Sequence, residues 1–252
     1  MQDKNFDGLI ITVDPDYQVD YACDAMERGV HVMTEVPCCT KIEDCYKLVE
    51  TVEKYGNKVD SQILAEFWLN YISMSCSEYG AAKANLRAGI APPMSGSYAN
   101  DNKDSCGSFI RSELWACLCA GNPDIAVRYA LEDAMVDHGE EGVFGEVFFA
   151  AMQAEAFVEK DINKLIEKGL SYIPDDCGIT RGVRCAIECY ESGKTWQEAR
   201  KAILQTVPGS FGMMCGYLDG DSIEEDIPVG KHGYDAPSNV ALSIMSLLYG
   251  QY

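Results

Sequence analysis

The sequence predicts a mainly α protein with a small α/β segment at its N-terminus, and three observations carry that prediction. Short β-rich apolar runs occur only near the start, at residues 8–13 and 30–33, where they alternate with amphipathic stretches. After about Asp60 the strand signal disappears. From there to Leu248, apolar side chains recur at helical spacing between breaks marked by Gly and Pro.

Taken in order, residues 8–13 read as a buried strand ended by Asp14-Pro15. Residues 17–28 carry Val19, Ala22, Cys23 and Met26 on one helical face, and Gly29 is placed to stop that helix. A second strand follows at 30–33. Thr40-Lys41-Ile42-Glu43 has the pattern of a capping box, in which the Thr hydroxyl and Glu carboxylate each satisfy a free backbone N–H. The helix it opens aligns Cys45, Leu48, Val49 and Val52 and closes near Gly56. Strand, helix, strand, helix is the grammar of a parallel sheet.

Helices are then expected at 63–72 and 78–88, with Gly89 as a stop, followed by a loop rich in Pro, Gly and Ser from Ile90 to Gly107. Further helices are expected at 108–119, 123–137, 142–158, 162–170, 176–192, 196–207 and 236–248. Asn122 is the expected cap of the 123–137 helix, and Pro123 takes the tolerated first position. The 142–158 stretch is apolar nearly all round, which marks a helix buried on most sides. The domain boundary is placed between residues 61 and 62, giving segments 1–61 and 62–252.

Composition narrows the function. The 252 residues include 40 Asp and Glu against 20 Lys and Arg, a net charge of −20. That balance excludes a nucleic-acid footprint, which needs clustered cations. No apolar run is long enough to span a membrane, and the first residues lack a secretory signal, so a cytoplasmic protein is expected. The acids are spread over both segments, with their densest cluster at 219–226, read as a solvated loop. Twelve cysteines without a C-x-x-C read as buried thiols acting as small hydrophobes.

Residues 6–60, with HVMTEVP at 31–37, resemble the Gfo/Idh/MocA oxidoreductases. The resemblance implies the second half of a Rossmann domain, a half-Rossmann segment in which Val36 stands where that family has a proton-donating lysine. No G-x-G-x-x-G precedes Gly8, so no dinucleotide cofactor is expected. From about 64 to 250 the chain resembles the ADP-ribosylglycohydrolases, through AEFWLNYI at 65–72, the 78–101 and 106–159 blocks, GLSYIPDD at 169–176 and APSNVALSIMSLLYG at 236–250. This implies an all-helical domain, truncated here, that hydrolyses an ADP-ribosyl or related N-glycosidic bond in a small-molecule or ADP-ribosylated substrate. It also implies magnesium, held in the family by a Thr-Asp-Asp run and an Asp-x-Asp-Thr run; neither occurs in this chain, and the metal ligands stay unknown. The alternatives are a non-catalytic nucleotide- or sugar-binding pseudoenzyme and a remnant of an NAD-dependent oxidoreductase. The open edges of a half sheet favour pairing, so a homo-oligomer is expected.

The candidate substrate-binding residues are Ser95, Gly96, Ser97 and Asn100, on a loop where backbone N–H groups can approach a ligand, and Gly107, Ser108 and Arg111, where a helix N-terminus could receive diphosphate. The same loop also reads as a simple connection, and Arg111 as the partner of Glu113 or Asp104. Asp137 and His138 are the candidate catalytic residues, with Gly142 beside them, because the resemblance places a ribose-facing histidine turn there; His138 reads equally as a hydrogen-bonded structural residue. Asp133, one turn before Asp137, shares its face. With Asp101 and Asp104 the two are candidate metal carboxylates, against a reading as solvated surface groups.

Overall fold

The computed structural model describes residues 8–34, 38–55, 59–207 and 234–250. The molecule is mainly helical and divides into two compact units, Met1–Val59 and Asp60–Tyr252. Glu35-Val36-Pro37, Gly56 and the acidic cluster at 219–226 lie outside the described residues.

In the first unit β1 (Gly8–Ile11) and β2 (His31–Thr34) pair in parallel, with Ile10 opposite Met33, and are joined by α1 (Pro15–Glu27). The strand stops two residues before the expected end, because α1 begins at once. Pro15 occupies its first turn, Asp14 accepts the Asp16 N–H, and the Gln18 side chain takes the Val13 carbonyl. Gly29, at φ 75°, ends α1 as expected. Ile11, Ala22 and Met26 form a small core closed by Leu9, Val32 and, from α2 (Ile42–Tyr55), Leu48 and Val52. At the start of α2, however, the Thr40 hydroxyl donates to the Asp16 carboxylate of α1. The helix begins at Ile42, one residue later than a Thr40 cap would start it.

The second unit holds α3 (Ser61–Tyr71), α4 (Ser77–Arg87), the single turn α5 (Met94–Ser97), a 3₁₀ turn at Phe109–Arg111, α6 (Ser112–Leu118), α7 (Pro123–Asp137) and α8 (Glu140–Glu155). There follow α9 (Ile162–Leu170), α10 (Gly178–Glu191), α11 (Trp196–Thr206) and α12 (Ala236–Tyr249). The α7 cap forms as expected, Asn122 accepting the Ile125 N–H. The expected 108–119 helix is broken, its first turn being 3₁₀, and α8 ends at Glu155, leaving Phe157 and Val158 exposed in the turn beyond it.

The core sits around α8, α10 and α12, where Phe148, Ile166, Ile179, Val183, Val240, Ile244 and Leu248 are fully or nearly fully buried. At about 1.5–3 kcal/mol per buried large apolar side chain, this cluster dominates the unit's hydrophobic stabilisation. Two devices lock the frame. Glu141 of α8 accepts the Gly178 and Ile179 N–H groups at 2.5 and 3.1 Å, capping α10 from another helix. Residues 104–106 run beside the entry to α12, with the Cys106 N–H on the Tyr234 carbonyl and the Ala236 N–H on the Asp104 carbonyl.

Candidate functional site

The α7 helix presents Asp133 and Asp137 on one face, as the four-residue spacing requires. Both are buried, so the reading as solvated surface groups is overturned. The cause is Arg111, delivered by the 3₁₀ turn. Its Nη1 and Nη2 donate to the two Asp137 oxygens at 3.0 and 2.9 Å, and its Nε donates to Asp133 Oδ2 at 3.2 Å. Trp115 Nε1 donates to the same Asp133 oxygen at 3.1 Å, and the guanidinium stacks 5.7 Å from the Trp68 ring centre. Arg111 therefore pairs with neither Glu113 nor Asp104. A planar fork matched to one carboxylate and shared with a second is the strong form of a charged hydrogen bond.

The charges follow from this geometry. Burial drives the Asp137 carboxyl up, but Arg111 and His138, with the Arg111 hydrogen bonds, outweigh it and hold the group below the ordinary aspartate range. Burial drives Arg111 down, and the Asp137 and Asp133 carboxylates raise it further than burial lowers it. Glu146, fully buried on α8, lies 3.8 Å from Arg111 Nη2, beyond hydrogen-bond length, and as a carboxylate neither of its oxygens has a partner. Burial first, then the Asp133 charge, pushes it well above the ordinary glutamate value, favouring the neutral acid. In that form its own O–H supplies the donor that Asp133 can accept.

His138 continues the node. Its Nε2 lies 2.9 Å from Ser105 Oγ, and its Nδ1 lies 2.9 Å from Asp137 Oδ1 but off the hydrogen-bonding line. Carboxylate, imidazole and hydroxyl thus follow one another in the order of a nucleophile relay. The orienting link is misaligned, however, and Asp137, His138 and Ser105 are all buried, so this serine is closed to a substrate from solvent.

The remaining candidates gather on the same turn. Ser95 Oγ donates to the Val136 carbonyl, and Asn100 Nδ2 donates to the Gly96 and Asp137 carbonyls. Ser108 Oγ donates to the Gly142 carbonyl. Gly96, Gly107 and Gly142 form a collar around His138: a β-carbon on Gly96 would sit 2.2 Å from the His138 carbonyl oxygen, and one on Gly142 would sit 2.7 Å from its ring. On Gly107 it would lie 3.2 Å from the ring and 2.3 Å from Glu78. These glycines are needed for close packing of protein on protein. Only Ser97 among the loop candidates stays half exposed, beside Lys103, which pairs with Glu140 at 2.6 Å. Ala99 and Glu140, at φ 47° and 41°, hold the loop and the start of α8 in left-handed turns.

Ser105, Trp115, Trp68 and Glu146 escaped the sequence reading. Glu146 had a signal, being the one acid in the middle of an otherwise apolar helix; the other three had none.

Magnesium, which the resemblance implied, does not fit this set. A hard cation wants carboxylate and water oxygens in near-octahedral array, and here the oxygens of Asp133 and Asp137 point at an arginine that already supplies the positive charge. Asp101 is exposed, and Asp104 accepts the Glu141 N–H; among the described residues no group of three or more His, Cys, Asp or Glu side chains could hold a metal. No helix among the described residues is long and apolar enough to cross a membrane.

The pattern of the family described as ADP-ribosylglycohydrolase matches residues 43–252. That of the Gfo/Idh/MocA oxidoreductase family, described as having an NAD-binding Rossmann fold, matches residues 1–62. No curated protein matches the chain, and no solved structure does.

Proposed function

Since the chain belongs to the ADP-ribosylglycohydrolase family, we propose that its helical unit is the substrate-holding part of a hydrolase acting on an ADP-ribosyl or related N-glycosidic bond. The observation that carries this reading is the joining of two separate sequence blocks, the 95–111 loop and the 137–142 turn, through Arg111 on Asp137 and Ser105 on His138. On this reading Asp137 and His138 are positioning residues. They fix the loop whose outer side, with Ser97, Lys103 and Glu140, faces the ligand. Lys103 supplies the cation for a phosphate, and burial of its pairing with Glu140 is incomplete, so a ligand can compete for it.

The Arg111 node favours binding over self-sufficient metal-assisted turnover, because the buried carboxylates are already neutralised from within. Calorimetry with ADP-ribose, together with a release assay on an ADP-ribosylated substrate at saturating magnesium, tests both halves. Binding without release is the expected result, and binding should weaken in Lys103→Ala. Magnesium-dependent release would establish the complete hydrolase instead, and silence in both assays at millimolar ligand overturns the proposal.

A further inference from the structure

Three cysteines meet in the α/β unit. Cys38 and Cys39 stand in the segment before α2, and Cys45 lies in the first turns of α2. Cys39 Sγ is 3.0 Å from Cys45 Sγ and 3.8 Å from Cys38 Sγ. All three are half-buried thiols. A disulfide is about 2.05 Å long, so closing the nearer pair asks the two sulfurs to approach by about 1 Å. The residues lie six apart in sequence, so the pair is held together locally. The two thiols are close enough for redox chemistry between them.

We propose that Cys39 and Cys45 form a reversible disulfide. The oxidant is a low-molecular-weight disulfide of the glutathione class. The Cys45 thiolate attacks one of its sulfurs, forming a mixed disulfide and expelling one glutathione thiolate, which takes a proton from solvent. Cys39 then loses its proton to solvent and attacks Cys45 Sγ, forming the Cys39–Cys45 bond and expelling the second glutathione, which is protonated in turn. Two electrons pass from the two cysteines to the oxidant, and one oxidised glutathione becomes two reduced ones. Burial and the hydrogen bonds to Cys45 and Cys38 push the Cys39 thiol up to about 12. Its attack is therefore the slow step, and closure accelerates as pH rises.

The test incubates the full chain at a series of oxidised-to-reduced glutathione ratios, alkylates the remaining thiols under denaturing conditions and maps tryptic peptides. Cleavage after Lys41 separates Cys39 from Cys45, so the bond appears as a linked pair of peptides. The expected result is a linked pair that rises with the ratio and is lost on adding a dithiol reductant. It persists in Cys38→Ser and is absent in Cys45→Ser, while Cys119 and Cys177, buried in the other unit, alkylate in full. Complete alkylation of Cys39 and Cys45 in the wild-type chain at the most oxidising ratio overturns the proposal. So does a Cys38–Cys39 bond, or a glutathione adduct that never resolves.

Discussion

The two units share an acid excess, but among the described residues the helical one alone draws an ion-pair cluster into its interior, beside surface pairs of its own. In the α/β unit, Arg28–Asp24 and Lys47–Asp20 lie on the surface over a small core of Ile11, Ala22 and Met26. In the helical unit, Arg111 is drawn inside with Asp133 and Asp137, its side chain 21% exposed, behind a much larger apolar core. Exposed pairs are screened and contribute little. A buried pair gains little over apolar packing, but removing one partner strands the other in a medium that cannot solvate it. The count of acids in a unit therefore says little about its stability, and their placement says a great deal.

The sharpest way to break that comparison is to delete one arginine from each side. Arg111→Ala should lower the stability of the helical unit by about 3–5 kcal/mol, read as a fall in the denaturant midpoint, while Arg28→Ala leaves the midpoint unchanged. Arg111→Lys keeps the charge and loses the fork, and should fall between them. Equal effects at positions 28 and 111 would end the contrast.

Crowding gives the next effect. Gly142→Ala drives a methyl to 2.3 Å from the Lys103 carbonyl and into the His138 ring, an overpacking expected to cost about 1–3 kcal/mol. Thermal unfolding measures it, and a neutral outcome would show that the collar around His138 can give way.

The pH dependence follows from two shifts of opposite sign. Asp137 is depressed, so its contribution is present above the ordinary aspartate value of 3.8 and is lost as pH falls through its folded value. Glu146 is raised, so its contribution is full below the ordinary glutamate value of 4.5 and is lost as pH rises from there towards its folded value. Glu146→Gln, neutral at every pH, should remove that decline, leaving the variant at least as stable as the wild type at neutral pH and above. Parallel stability curves for the two proteins from pH 5 to 9 would contradict the placement of the proton.

The smallest effect is at the borrowed cap. Glu141→Ala frees the Gly178 and Ile179 N–H groups and should cost about 0.5–2 kcal/mol, with hydrogen exchange rising at those two amides.

Much of the helical fold was legible because it is written locally. The 3.6-residue period, Asn122 with Pro123, and Gly29 and Gly89 at positive φ all act within a few residues. The site was legible only in part. The residues 95–108 and 137–142 were singled out, yet what joins them spans 22–26 positions between Arg111 and its carboxylates, and no spacing rule encodes a contact at that range. The capping box is displaced as well: α2 begins at Ile42, one residue after a Thr40 cap would start it, while the Thr40 hydroxyl donates to Asp16, 24 residues away. Where a residue's partner is set by tertiary packing, the nearest charge along the chain is a poor guide, as Glu113 and Asp104 were for Arg111.

The seat of His138 also makes it a reporter. It is the fully buried histidine of the described residues, its Nε2 against Ser105, its ring close to Gly107 and Gly142 and its backbone against Gly96. A ring N–H held in that way exchanges with solvent only when the α7–α8 turn opens. Its proton resonance, separated from those of exposed imidazoles, would time that local opening directly and distinguish it from unfolding of the whole unit.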